Sequence, residues 1–192
     1  RAVSECVNRL QLEDDIKDKG GIIWHTQGSG KSFSMLWFAS QLMYKFGNPP
    51  IIIVTDRKQL DKQIHDTFKK CGFPSPIRTK NGKHLAELLQ NPKGKTIMTI
   101  IDKFATEHNA HTDEKVIVLV DEAHRSPYKV NSEQMRESMP NAVFYGFTGT
   151  PIDKKDHNTR RVFGPVIDKY GFRESQEDGA TLPIRYQGRL SE

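Results

Sequence analysis

The chain has 192 residues, with 29 Lys and Arg against 24 Asp and Glu and a formal charge of +5 at pH 7. Hydrophobic residues make up 35% and charged residues 28%, a well-charged globular balance that excludes disordered and collagen-like chains. No apolar run approaches the ~20 residues of a membrane-spanning helix. The two cysteines, Cys6 and Cys71, lack metal-ligand spacing and read as reduced thiols of a cytosolic protein.

Residues 2–18 are expected to form a helix, with Ala2, Val3, Cys6, Val7 and Leu10 on one face and Gly20-Gly21 stopping it. Residues 21–24 read as a short buried strand. Residues 31–46 read as a helix carrying a core stripe of Met35, Ala39, Leu42, Met43 and Phe46, closed by Gly47-Asn48-Pro49-Pro50. The run Ile51-Ile52-Ile53-Val54 is uninterrupted and β-branched, as in a parallel strand covered on both faces. Residues 57–70 and 83–90 suit helices, and residues 96–101 suit a strand. Residues 116–120 form a second buried run before a helical segment, and residues 142–147 a further strand. Strands alternating with helices imply an α/β domain, a three-layer arrangement around a parallel sheet. The expected organisation is an N-terminal helix over 1–20, a lobe over 21–152, and a polar connector over 153–192 that starts a further unit.

Three short stretches carry chemistry. Thr26, Gln27, Gly28, Ser29, Gly30, Lys31 and Ser32 lie between the first strand and the helix after it. Glycines there let backbone amides turn inward around phosphate oxygens, and the helix N-terminus adds its dipole. Lys31 is placed to bridge β- and γ-phosphates, and the Ser32 hydroxyl to ligate Mg²⁺. His25, at the loop's start, stands where the general pattern has Gly or Ala.

The second stretch, Asp121-Glu122-Ala123-His124, ends a buried strand. Asp121 is suited to hold Mg²⁺ through water, and Glu122 to orient and deprotonate an attacking water. An acidic helix cap is the alternative for this pair. His124 follows directly and suits a coupling role. The third stretch, Thr148-Gly149-Thr150-Pro151, puts two hydroxyls on a tight turn after the last strand, where they either link the acidic site to a neighbouring surface or simply form a turn.

This order resembles the first motor lobe of superfamily 2 helicases and translocases, a RecA-like P-loop lobe. A finer resemblance is to the motor (restriction) subunit of type I restriction enzymes. It is carried by Ile23-Trp24-His25-Thr26-Gln27-Gly28-Ser29-Gly30-Lys31-Ser32 and Val54-Thr55-Asp56-Arg57-Lys58-Gln59-Leu60-Asp61. Asp121-Glu122-Ala123-His124-Arg125-Ser126, Gly146-Phe147-Thr148-Gly149-Thr150-Pro151, Val162-Phe163-Gly164 and Asp178-Gly179-Ala180 continue it. Pro127 and Asp102 depart from that family's pattern, which has Gln at both places.

The resemblance implies ATP and Mg²⁺ as cofactors and translocation along double-stranded DNA. It implies a prokaryotic cytoplasm, partner modification and specificity subunits, and no membrane. Thr148 and Thr150 are then expected to couple hydrolysis to movement. Thr55, Arg57 and residues 99–103, with Thr99 and Lys103, are expected to face the DNA backbone. The family's nuclease and second motor lobe are expected to lie outside these residues. Other superfamily 2 helicases, or a nucleotide-binding switch without motor activity, are the alternatives.

Overall fold

In the computed structural model, residues 1–12, 19–74, 76–107, 109–121, 127–149, 153–154 and 157–182 are described. The apolar runs rich in β-branched and aromatic residues become strands buried at every position: Ile51–Thr55 (β2), Thr96–Ile100 (β4), Ile117–Asp121 (β5) and Val143–Thr148 (β6). With Gly21–His25 (β1), Ile77–Arg78 (β3) and Val166–Tyr170 (β9) they make a seven-stranded sheet of order β3-β4-β2-β5-β6-β1-β9. Every pairing in that sheet is parallel. A small antiparallel pair, Asp153–Lys154 (β7) with His157–Asn158 (β8), stands apart from it.

Helices cover both faces. Ala2–Leu12 (α1), Lys31–Phe46 (α2) and Lys58–Lys70 (α3) contribute Cys6, Phe38 and Phe68 to one core, against Ile51, Ile53, Ile117 and Leu119. Gly82–Gln90 (α4), Asp102–Ala105 (α5), Pro127–Ser138 (α6) and Thr159–Phe163 (α7) contribute Leu85, Phe104, Met135 and Phe163 to the other, against Ile52, Val54, Val118 and Val120. Successive strand residues thus feed opposite cores, the period-2 alternation of a sheet packed on both sides. Each fully buried branched side chain contributes about 1.5–3 kcal/mol. This is the three-layer α/β architecture expected from the sequence.

Helix α2 matches its expected span and ends on Gly47, whose φ of 69° and amide bond to the Met43 carbonyl close the last turn. Met35, Ala39 and Leu42 are buried as expected, while Phe33, Trp37 and Tyr44 are exposed. The first helix is described to Leu12, and residues 13–18 lie outside the described residues.

One boundary needs correction. The connector expected over 153–192 contains β9, which pairs with residues 22–25 of β1 across a register shift after Ile22, so the sheet runs past residue 152. The short helix Phe172–Glu177 (α8) follows it. Two glycines make that packing possible. A Cβ on Gly20 would stand 2.5 Å from the Phe144 carbonyl oxygen, and one on Gly21 2.5 Å from Ile167 Cγ1. Glycine there lets β1 enter between its two neighbours.

Tyr145, at the centre of β6, is fully buried and packs edge-on against Phe38 of α2 at 4.8 Å. Its hydroxyl donates to the carbonyls of Lys19 (2.8 Å) and Cys6 (3.3 Å), fastening the N-terminal segment to the sheet. Tyr145→Phe is expected to strand those carbonyls and cost about 1–3 kcal/mol, read from the urea unfolding midpoint.

Candidate nucleotide-phosphate site

Strand β1 ends at His25 and helix α2 begins at Lys31, so the chain turns from strand to helix within a few residues. Gly28 (φ 82°) and Gly30 (φ 83°) take the left-handed conformation that this turn requires and that side chains resist. The Ser29 hydroxyl donates to the Thr26 carbonyl at 2.6 Å, and the amides of Phe33 and Ser34 donate to the Gly30 carbonyl. Lys31 folds back over the turn, its Nζ donating to the carbonyls of His25 and Thr26 at 3.4 Å each. Gln27 and Gly28 are exposed and Ser32 is half-buried. The open loop thus sits at the positive end of a 16-residue helix, a setting for an anion.

The sheet brings two more predicted residues to the same edge. Trp24 pairs with Thr148, and Asp121 pairs with Phe147, so the carboxyl ends of β1, β6 and β5 are neighbours. Asp121 is buried and Thr148 fully so. The Trp24 indole donates to the Gly149 carbonyl at 3.0 Å. A Cβ on Gly149 would stand 3.4 Å from the Gln27 amide nitrogen and 3.6 Å from Lys31 Nζ. The turn after β6 therefore lies directly against the phosphate loop. Glu122, His124 and Thr150 lie outside the described residues.

Two residues at this site were missed by sequence reasoning, Asp168 and Arg1. His25 Nε2 and Asp168 Oδ2 are 2.7 Å apart in a buried hydrogen bond, and the Arg1 guanidinium holds Asp168 Oδ1 at 2.5 Å. Tyr170 packs edge-on against the His25 ring at 5.7 Å, and its carbonyl accepts the Thr26 amide. Beside the loop, Arg1, His25, Trp37, Asp168, Tyr170 and Asp178 line a cavity of about 440 Å³. The available signal was a lone acidic residue within the otherwise apolar start of a weakly patterned strand.

Burial lowers the pKa of His25 below the ordinary 6.5, and Lys31 and Arg1 add repulsion, against the opposing pull of Asp168. Its hydrogen bonds to Arg1 and His25 hold the Asp168 carboxyl below its usual range, although burial pushes the other way.

The residues expected to face DNA divide. Arg57 is exposed, its side chain 64% accessible, and ion-paired with Asp56 at 3.3 Å. Thr55 and Thr99 are fully buried, so their hydroxyls are not offered to a ligand in this structure. Thr99 accepts from the Thr79 hydroxyl at 2.9 Å. Lys103 is half-buried and donates to the Thr79 carbonyl (2.5 Å) and hydroxyl (2.8 Å). Burial lowers its pKa. Among the described residues, no helix is long and apolar enough to cross a membrane.

A parallel sheet flanked by helices on both faces, with a glycine-bent loop between β1 and α2 at its carboxyl edge, is the architecture of a RecA-like α/β lobe. The model of the SWI2/SNF2 ATPase family matches residues 1–192, and the chain belongs to that family. The type I restriction enzyme HindI endonuclease subunit of Haemophilus influenzae is 40% identical over 190 residues, covering 86% of this chain and 18% of that protein. The type I restriction enzyme SsaAORF53P endonuclease subunit of Staphylococcus saprophyticus is 31% identical over 84% of this chain and 19% of its own length. The chain thus spans about a fifth of these relatives.

Among solved structures, a nuclease-deletion mutant of the Type ISP restriction-modification enzyme LlaGI, in complex with a DNA substrate mimic, aligns at TM-score 0.63. It is 17% identical, over 93% of this chain and 20% of that one. The Sulfolobus solfataricus SWI2/SNF2 ATPase core in complex with dsDNA aligns at TM-score 0.57 and 16% identity, over 81% of this chain and 32% of that one. Both confirm the fold.

The electrostatics of His25 carry a pH signature. On unfolding, the imidazole regains its ordinary value of 6.5. Between the lowered folded value and that one, the unfolded chain binds more protons, so stability falls as pH drops through the window and levels off below it. His25→Gln is expected to flatten that part of the profile, measured as urea midpoint against pH.

Proposed function

We propose that this chain is the ATP-binding and ATP-hydrolysing motor lobe of a type I restriction enzyme endonuclease subunit. In this reading it drives ATP-dependent translocation on double-stranded DNA in a prokaryotic cytoplasm. The supporting observation is the convergence of the phosphate loop, Asp121 and Thr148 at the ends of three adjacent strands. The kinship with restriction endonuclease subunits supports the restriction setting. Cleavage then belongs to other parts of the subunit, and modification and specificity subunits complete the assembly.

The residues present fit a Mg²⁺-bound nucleoside triphosphate. The loop glycines open its amides, and the absent side chain at Gly149 leaves the space beside Lys31 clear. The metal, when bound, neutralises charge on the β- and γ-phosphate oxygens. Thr26, Gln27, Gly28, Ser29 and Gly30 cradle the phosphates. Lys31, whose Nζ reaches the His25 and Thr26 carbonyls at 3.4 Å, would make charge-assisted bonds to phosphate. Ser32 and Asp121 hold the metal, Asp121 through water. Glu122 orients and deprotonates the attacking water. His124, Thr148 and Thr150 couple the state of the γ-phosphate to DNA movement.

A translocase grips phosphates rather than bases, and exposed Arg57 supplies a cation at the sheet's carboxyl edge, while half-buried Lys103 stiffens that edge through Thr79. Buried Thr55 and Thr99 support that edge from within.

Lys31→Ala in the full-length protein is expected to abolish ATP-dependent translocation and DNA-stimulated ATP turnover, measured on long duplex DNA. Turnover stimulated by RNA but not by duplex DNA would overturn the restriction reading. Arg57→Ala is expected to lower the slope of log affinity against log salt by about one, the signature of one lost phosphate contact.

A further inference from the structure

We propose that Asp168 is a positioning residue for the phosphate loop, acting through the imidazole of His25 and tying the loop's set to Arg1 at the start of helix α1. The inference rests on the reading of residues 26–32 as a nucleotide-phosphate site.

Four observations carry it. Asp168 is the buried residue of β9, whose apolar Val166 and Ile167 are only half-buried. A carboxylate in that position gains nothing from burial unless donors meet it. Two do so on separate oxygens, His25 Nε2 on Oδ2 at 2.7 Å and Arg1 Nε on Oδ1 at 2.5 Å. The Arg1 guanidinium also donates to the Lys169 carbonyl at 2.6 Å, which fixes its approach.

His25 is where the constraint enters the loop. Its carbonyl accepts from Lys31 Nζ, as does the carbonyl of its successor Thr26. A ring held at Nε2 tethers the Cβ and Cα of His25 at the head of the loop, so the Asp168 bond limits how far the carbonyl that meets Lys31 can shift. With the carboxylate ionised and the imidazole neutral, Nε2 carries the proton and donates it. The groups facing the ring are Asp168, Lys31, Arg1 and Tyr170. Arg1, His25, Asp168 and Tyr170 also line the 440 Å³ cavity beside the loop, so whatever fills that cavity meets the same relay.

A residue that merely packs β9 against β1 would loosen the strand pair, whereas a positioning residue loosens the loop. Hydrogen–deuterium exchange on the nucleotide-free full-length protein separates the two. Asp168→Ala and His25→Ala are each expected to speed exchange over residues 26–31 while amides of residues 21–24 and 166–170 stay protected. Faster exchange across both strands would overturn the proposal.

A double-mutant cycle on binding of a fluorescent ATP analogue with Mg²⁺ gives the second readout. Each single variant is expected to weaken binding about tenfold, and the double variant no more than either alone, because both cut one linkage. Additive losses of about a hundredfold would sink the linkage. Asp168→Asn, which keeps an acceptor for His25, is expected to restore most of the affinity, and failure to do so would count against the hydrogen bond as the agent. If the wild-type protein binds no analogue, the nucleotide reading fails. The exchange measurement then still decides whether Asp168 sets the loop.

Discussion

The site hangs from one strand. Strand β1 is hydrogen-bonded on both edges, to β6 on one side and β9 on the other, so its carboxyl end has almost no freedom. A single ladder bond contributes only about 0.5–1.5 kcal/mol net, yet Trp24 is held against Thr148 of β6 and Lys169 of β9 at once, and His25 continues the pairing to Tyr170. That fixity lets a short loop with two left-handed glycines hold one shape while presenting its amides to solvent. The glycine pair at the strand's other end has the complementary task of removing the side chains that would hold the neighbouring strands apart.

Polar residues cluster along the carboxyl edge of the sheet, and burial sorts them. Thr99 and Thr79 satisfy one another, and Lys103 caps the pair, so this group braces β3, β4 and helix α5. Asp61 on α3 does similar work for β3, accepting from Arg78 Nε at 2.8 Å and Nη2 at 2.6 Å. The loop of residues 26–32 differs in kind. Its exposed Gln27 and Gly28 turn backbone toward solvent at the N-terminus of helix α2. Polar groups bonded at ordinary lengths inside the protein stabilise it, while those held loosely at a helix N-terminus are available for exchange.

The same distinction explains what could be read from sequence. Strands β2, β4, β5 and β6 announce themselves because both their faces are buried, leaving runs rich in β-branched, aromatic and other apolar residues. The strand-to-helix turn over residues 26–30 is legible because glycines at fixed offsets there mark the left-handed positions that Gly28 and Gly30 take. Strand β9 is not legible. It has one strand partner, its two branched residues are half-buried, and its buried position is an aspartate, so hydropathy presents it as a connector. The burial of Thr55 and Thr99 escapes for the opposite reason: a threonine in a motif looks the same whether its hydroxyl meets a ligand or a neighbouring strand.

His25 joins the legible part of the site to the illegible part. An imidazole at the head of a phosphate loop is too large and too polar for a site where the general pattern has Gly or Ala, unless space and a partner are provided. Both come from β9, through Asp168 and the edge of Tyr170, 143 residues further along the chain in the case of Asp168. Removing the imidazole alone would leave a buried carboxylate answered only by a largely exposed arginine, and removing the carboxylate alone would bury an imidazole without its acceptor. Either loss is worse than exchanging both for apolar groups of matching volume, because an orphaned buried polar group costs more than a hydrogen bond gains. Positions 25 and 168 therefore behave as one unit, and what a substitution does at either depends on the residue at the other.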